Sequence, residues 1–253
     1  MIPPNTPSEW ALLLKSTWET RARSAARDFY VASHPGWNDA AAWERQARVD
    51  LDLYLYGLDR ASLRSWDVLE IGCGVGRLAG LLAPLVRSYT GLDISPGMLE
   101  EARKRLAGTS NTRFLETDGL GVPSTAADRR YQLALAPAVF IHCPRPVIER
   151  IVRSTYAVLA PGGQLRLHLR GDPETEDGMD ASNLPAIEQQ VAEQTHVENQ
   201  AGPTERVLID GHYYMGDVFS YRDAQRFLKV EPEADVVLYR PDRANLFGWV
   251  ERR

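Results

Sequence analysis

The sequence predicts an α/β fold: a mostly parallel sheet between helices, preceded by a helical cap and closed by an antiparallel strand. Three observations point there. An apolar run at 68–71 ends in a loop with glycines at alternate positions, Gly72, Gly74 and Gly76, and then turns amphipathic through Leu78, Leu81, Leu82 and Leu85; that order reads as buried strand, tight turn and helix. Further short apolar runs at 88–95, 112–120, 131–136 and 164–170 alternate with helical patterns, as repeating strand–helix units do. The C-terminal end carries two more strand-like runs, 234–239 and 247–251, joined through Pro241 and Asp242.

Bulk composition narrows the class. A chain of 253 residues has length for one α/β domain with additions. At 44% hydrophobic and 25% charged it reads as globular. A net charge of −5 argues against a nucleic-acid-binding surface, which wants a basic face. Cys73 and Cys143 make neither a disulfide framework nor a zinc set, and two reduced thiols suit a cytoplasmic protein. The longest apolar runs fall far below the roughly 20 residues of a membrane span, and the N-terminus lacks the basic-then-apolar order of a signal peptide.

The elements follow in order. Thr6, Pro7 and Glu9 have the pattern of a helix start, with Thr as N-cap, Pro in the first turn and Glu three after the cap. Trp10, Leu14, Trp18, Ala22, Ala25 and Phe29 continue that helix to about Ser33, and His34, Pro35 and Gly36 break it. Asn38 is the expected cap of a second helix, with Trp43, Ala47, Leu51, Tyr54 and Leu58 on one face. The second strand ends in Asp93, 17 positions after Gly76, and Ser95 with Pro96 opens the next helix. The third strand ends in Asp118. A polar connection at 123–130 leads to the fourth strand, where Pro137 ends pairing. A helix at 146–159 stops at Pro161, Gly162 and Gly163. The fifth strand alternates polar and apolar, with His168 and Arg170 on one face. Residues 171–206 interrupt the pattern with Asp172, Glu174, Glu176, Asp177 and Asp180, an acid run suited either to a solvated loop or to attracting a basic acceptor. A short strand at 206–215 and a helix from Ser220 to about Lys229 precede the closing pair.

The glycine loop admits several readings. A dinucleotide fingerprint would be G-x-G-x-x-G, and Arg77 stands where its third glycine belongs. A phosphate loop would end in Gly-Lys-Ser/Thr, and this one ends in Gly-Arg-Leu. The segment Glu70-Ile71-Gly72-Cys73-Gly74-Val75-Gly76 instead resembles the first motif of the class I S-adenosylmethionine-dependent methyltransferases, of small-molecule type. The resemblance is clear over 66–170. It extends to the run 131–144, where Gln132 replaces the usual Asp, and to the helix–Pro-Gly-Gly–strand order.

That resemblance implies a Rossmann-like, seven-stranded, mostly parallel sheet whose reversed strand lies between its neighbours. It implies one domain over 1–253: an N-terminal helical cap at 1–62, a cofactor-binding core at 63–170, an acceptor-side insertion at 171–218, and a C-terminal helix and strand pair at 219–253. Its cofactor would be S-adenosyl-L-methionine, leaving S-adenosyl-L-homocysteine, with no metal. Glu70, Gly72, Cys73, Gly74 and Gly76 would shape the methionine pocket. Asp93 would take the ribose hydroxyls, Ile94 and Met98 the adenine faces, Asp118 with Gly119 and Leu120 the adenine edge, and Ala136 the methionine part. His142 would lie near the methyl group, as general base or as a packing residue, with His212 as second choice of base. Tyr30, Trp37, His168, Arg170 and Tyr213 are the expected acceptor-side residues.

The expected reaction is methyl transfer to O or N of a small molecule, such as a biosynthetic metabolite, by a monomer or homodimer without nucleic-acid or membrane partners. A catalytically silent S-adenosylmethionine-binding partner protein and an NAD-dependent oxidoreductase are the alternatives.

Overall fold

Strands form where apolar and β-branched residues run without a helical period. They are β1 Asp67–Ile71, β2 Ser88–Asp93, β3 Thr112–Glu116, β4 Tyr131–Ala136, β5 Leu159–Gly171, β6 Val218–Phe219, β7 Asp235–Tyr239 and β8 Asn245–Glu251. The structure is a computed structural model that describes residues 4–32, 37–175, 177 and 216–253. One sheet runs β3-β2-β1-β4-β5-β8-β7, with the two-residue β6 beside β5. The pairs β1–β2, β2–β3, β1–β4 and β4–β5 are parallel, and β8 runs antiparallel to both β5 and β7. The expected reversed strand between its neighbours is therefore present, and β6 makes one strand more than expected.

The helices are α1 Pro7–Ala22, α2 Arg27–Ala32, α3 Ala40–Tyr54, α4 Ala79–Leu82, α5 Pro96–Arg105, α6 Arg145–Val158 and α7 Tyr221–Phe227. On one face of the sheet, Leu51 and Tyr54 of α3 and Leu99 and Ala102 of α5 pack with Val68, Leu133 and Leu135. On the other, Val147, Ile148, Ile151 and Val152 of α6 and Ala224 of α7 pack with Leu69, Ala134 and Leu165. Successive strand residues point to opposite faces, so each strand feeds both layers. The α1 helix touches both α5 and α6. It therefore spans the edge where the strands end.

Local chemistry accounts for the boundaries. Thr6 and Glu9 close the expected capping box: Thr6 Oγ1 accepts from Glu9 N–H at 3.2 Å and Glu9 Oε2 from Thr6 N–H at 3.0 Å. The first helix does not continue to Ser33. It stops at Ala22, where Ser24 Oγ accepts from Ala26 N–H at 3.1 Å and offers the backbone a turn in place of a helix. Asp39, not Asn38, caps α3, through Ala42 N–H at 2.8 Å. The helix after the glycine loop is only Ala79–Leu82, because Pro84 draws the chain into a 3-10 turn over Ala83–Leu85. Strand β3 ends at Glu116, two residues before Asp118. Strand β5 starts at Leu159, which pairs with Tyr131 before an irregularity in register, so Pro161 and the two glycines lie within it. The expected strand at 206–215 lies outside the described residues.

Two arginines fasten the periphery. Arg166 of β5 is buried and donates to Tyr54 O at 3.2 Å and Tyr56 O, tying the end of α3 to the sheet. Burial pulls its pKa down to about 10. Arg240, 1% exposed, donates to Asp172 O, Asp242 O and Arg243 O, and reaches Thr175 Oγ1 at 3.0 Å and Asp177 Oδ1 at 3.1 Å. It turns the chain after β5 back onto the sheet. Arg240→Met keeps the volume but strands those oxygens and leaves Asp177 unpaired. We expect it to cost on the order of 3 kcal/mol in urea unfolding.

Candidate active site

The site is built at the strand ends around β1 and β4, where the order of a doubly wound sheet reverses and opens a crevice. The glycines after β1 are required by conformation. Gly72, Gly74 and Gly76 have φ of +68°, +52° and +77°, values that side chains disfavour. Gly76 N–H closes a turn on Cys73 O at 2.9 Å, and Cys73 N–H reaches Leu92 O of β2 at 2.9 Å. The Cys73 side chain is buried against Gly91, so this residue serves the loop by its main chain.

Asp93, at the tip of β2 and 7% exposed, binds this loop. Its Oδ2 accepts from Gly74 N–H at 2.8 Å and its Oδ1 from Ser95 N–H at 2.9 Å. Burial raises its pKa to about 6, against the pull of those backbone donors. Glu70, expected at the methionine pocket, turns into the protein. It is the penultimate residue of β1, 3% exposed, and Oε2 accepts from Tyr89 Oη–H at 2.7 Å. Burial lifts its pKa to about 7 despite that bond, Arg77 opposing and Asp93 adding to the rise. Asp118 is exposed, past the end of β3, with Oδ1 accepting from Leu120 N–H at 2.8 Å. Gly119 has φ +81°, and Ile94 packs where a Cβ would stand. Met98 is buried with Val75 and Ala22, and Ala136 is buried at the end of β4.

The donor set suits a nucleoside without phosphate. Asp93 and Asp118 supply carboxylate acceptors, the loop supplies bare main chain, and the loop carries no Lys, Ser or Thr to meet a phosphate. Apolar side chains lie on that main chain. Val31 Cγ1 is 3.5 Å from a Cβ built on Gly74, and Val139 packs where a Cβ on Gly72 would stand.

The N-terminal helices deliver this cover. Glu19 of α1 accepts from Ser95 Oγ–H at 2.7 Å and Gly97 N–H at 3.0 Å, at the start of α5. In α2, Arg27 pairs with Glu101 at 3.2 Å and Asp28 with Arg105 at 2.7 Å. Trp18, Val31 and Trp43 pack around Ala22, Val75 and Met98. Arg21, 6% exposed, lies over the Trp18 ring at 4.6 Å and the Tyr30 ring at 5.1 Å. Sequence reasoning missed Glu19, Arg21 and Val31. The i, i+3 spacing of Trp18 and Arg21 was the available signal for Arg21; nothing local marks Glu19 or Val31.

On the acceptor side, His142 sits in the 3-10 turn Phe140–His142 after β4, its ring 5.3 Å from Trp18 and edge-on to it. Burial first, then the nearby guanidinium groups of Arg21 and Arg170 and the His168 ring, push its pKa down to about 3. It is a neutral imidazole near pH 7 and a weak proton acceptor. His168 Nε2 meets Asn245 Oδ1 at 2.7 Å and its ring stacks on Phe247 at 4.2 Å; burial lowers its pKa to about 4. Arg170 donates to Gly216 O at 2.6 Å. Tyr30 stays with Arg21, while Trp37 lines a cavity of about 390 Å³ with Trp43, Arg27 and Arg105. Of the acid run, Asp177 is tied to Arg240. Tyr213, His212, Glu176 and Asp180 lie outside the described residues. Among the described residues no helix is long and apolar enough to cross a membrane.

Comparison with known proteins meets this geometry at the same stretch. Residues 68–163 match a family model described as a methyltransferase domain. The chain is 35% identical over 104 residues to a malonyl-[acyl-carrier protein] O-methyltransferase of Acetivibrio thermocellus, covering 40% of this chain and 34% of that one. It is 37% identical over 106 residues to a trans-aconitate 2-methyltransferase of Methylobacterium nodulans, covering 40% of this chain and 37% of that one. The match thus spans well under half the length of these two relatives. A solved structure described as a DhpI-SAM-HEP complex superposes with a TM-score of 0.62 at 20% identity, over 98% of this chain and 99% of that one. That likeness is one of fold.

The buried acids give a pH signature. Glu70 has its folded pKa raised from 4.5 to about 7, so the folded state holds the proton longer than the unfolded chain. Its contribution favours the fold at low pH and fades as pH rises through about 7. Glu70→Gln, which still accepts from Tyr89, is expected to stabilise the ligand-free protein by on the order of 3 kcal/mol at pH 8. The gain should shrink toward zero near pH 5, as measured by urea melts across that range.

Proposed function

We propose that this chain, whose residues 68–163 form a class I S-adenosylmethionine-dependent methyltransferase core, transfers a methyl group from S-adenosylmethionine to an oxygen or nitrogen of a small-molecule acceptor. The observation that carries the reading is the joint between Asp93 and the Gly74 N–H. It places an acceptor-only group against a loop with three positive-φ glycines, where a nucleoside's ribose and its amino-acid tail would adjoin.

Each residue then has a task. Asp93 accepts from the two ribose hydroxyls, and Asp118 accepts from the adenine amine beside the Gly119 and Leu120 main chain. Ile94 and Met98 cover the ring. Gly72, Gly74 and Gly76 leave room for the tail, with Val31 and Val139 moving off the loop to admit it. When bound, the sulfonium supplies the methyl group and takes the electron pair of the breaking C–S bond. The rest of the work is positioning and exclusion of water: α1 and α2 roof the crevice, while His142 and Trp18 wall its acceptor end. The low basicity of His142 favours an orienting role over proton abstraction.

The two curated relatives act on malonyl-[acyl-carrier protein] and trans-aconitate, by their names, which supports an acid-bearing metabolite as acceptor. The oxidoreductase alternative loses ground at Arg77. Its side chain pairs with Asp50 at 2.5 Å and lies 5.7 Å from the Trp43 ring centroid, where a dinucleotide loop needs glycine. Two buried thiols, Cys73 and Cys143, support a reducing compartment such as the cytoplasm.

Calorimetry separates the possibilities. S-adenosylhomocysteine is expected to bind the full chain, NAD to give no heat, and Asp93→Asn to weaken the nucleoside by about tenfold or more through lost hydroxyl bonds. Uptake of NAD in its place, or unchanged affinity in Asp93→Asn, would sink the assignment. Methyl transfer to a metabolite panel then distinguishes an enzyme from a silent binder.

A further inference from the structure

Beyond the cofactor cleft, two arginines and two neutral histidines lie near one another at its acceptor end. Strand β4 pairs with β5 as far as Ala136 against Leu167, and β5 runs on to Gly171. His168 and Arg170 therefore overhang the end of β4, on one face. The Arg170 guanidinium donates to Gly216 O at 2.6 Å, and Gly216 N–H donates to Ile141 O at 2.8 Å, so this overhang is laced to the turn that carries His142. Arg21 arrives from α1, stacked on the Trp18 ring, which packs at a steep angle to His142.

Among the described residues, acids near this end bond to other groups. Asp217 Oδ2 accepts from Arg145 N–H at 2.8 Å, and Asp172 Oδ1 from Glu174 N–H at 3.0 Å. Asp177 pairs with Arg240, and Asp50 with Arg77. Asp242 holds the Asn245 amide, whose oxygen meets His168. Among the described residues, no carboxylate forms an ion pair with Arg170.

We infer that Arg170, set beside the neutral His142 and His168, is a cationic anchor that selects an acceptor bearing an anionic oxygen-acid group, a carboxylate or phosphonate. The inference rests on the methyltransferase reading and narrows its acceptor class. A guanidinium offers two parallel N–H donors to such a group, and the same field repels an ammonium acceptor. The chemistry suits the site. An ionised acid oxygen attacks with its own lone pair; the new C–O bond forms as the C–S bond breaks, with that pair passing to sulfur. Anion and sulfonium become a neutral ester and a thioether, and no proton has to be removed. The weakly basic His142 is then no handicap.

The test uses the full chain with saturating S-adenosylhomocysteine at constant ionic strength set with chloride. Malonate, succinate, glutarate and methylphosphonate are compared with malonamide, succinamide and 1,3-diaminopropane by thermal shift. At least one acid is expected to raise Tm saturably by about 2 °C or more, with no response to the amides or the diamine. Arg170→Gln should raise the half-saturating acid concentration about tenfold or more, Arg170→Lys should retain part of the response, and both should keep nucleoside affinity within about twofold. No response to any acid, an equal response to the diamine, or an undiminished response in Arg170→Gln overturns the anchor while leaving the methyltransferase reading standing. Failure of the wild-type chain to bind S-adenosylhomocysteine overturns both.

Discussion

One buried carboxylate joins the parts that matter. Asp93 takes the Gly74 N–H with one oxygen and the Ser95 N–H with the other. The first bond fixes the glycine loop after β1, and the second sits at the cap of α5 after β2. A carboxylate can accept several donors at once, which no other side chain at this tip would do as compactly. Its cost is desolvation, visible in a pKa raised to about 6. Glu70, held by Tyr89, carries the same strain. The ligand-free crevice thus stores unfavourable negative charge where a cationic cosubstrate would bind, which is ground for preferring the bound state.

Ionisable groups separate along the strand ends. Glu70, Asp93 and Asp118 lie on β1, β2 and beyond β3. Arg170, with the neutral His142 and His168, lies on the other side, after β4 and along β5. Sheet order produces this separation, because β1 and β4 lie side by side at the centre while the acidic and basic tips fan out to opposite sides. Of the acid run after β5, Asp177 joins neither group: it and the Asp172 carbonyl are held by Arg240.

Elements bounded by strong local chemistry were legible. The Thr6–Glu9 capping box, the Ser95 cap with Pro96, the Ser220 cap and the stop of β4 at Pro137 all depend on residues within a turn of one another. Errors fell where neighbours compete. Asp39 outcompeted Asn38 one residue away, Ser24 broke a helix whose apolar spacing ran on past it, and Pro84 cut short an amphipathic run. Gln132, a departure from the family pattern, accepts from Asp67 N–H at 2.8 Å and so acts only at the base of β1.

By itself, the sequence determined the alternation of strand and helix, the glycine loop, and the acids after the second and third strands, because each is written in spacing along the chain. Tertiary structure alone decided that Glu70 turns inward to Tyr89, that Glu19 and Val31 of the cap reach the crevice, and that Trp18, with Arg21 on its ring, meets His142 from a helix over a hundred residues away in sequence. Such contacts depend on where helices land once the sheet has formed, and burial, not composition, then sets the charge each group can hold.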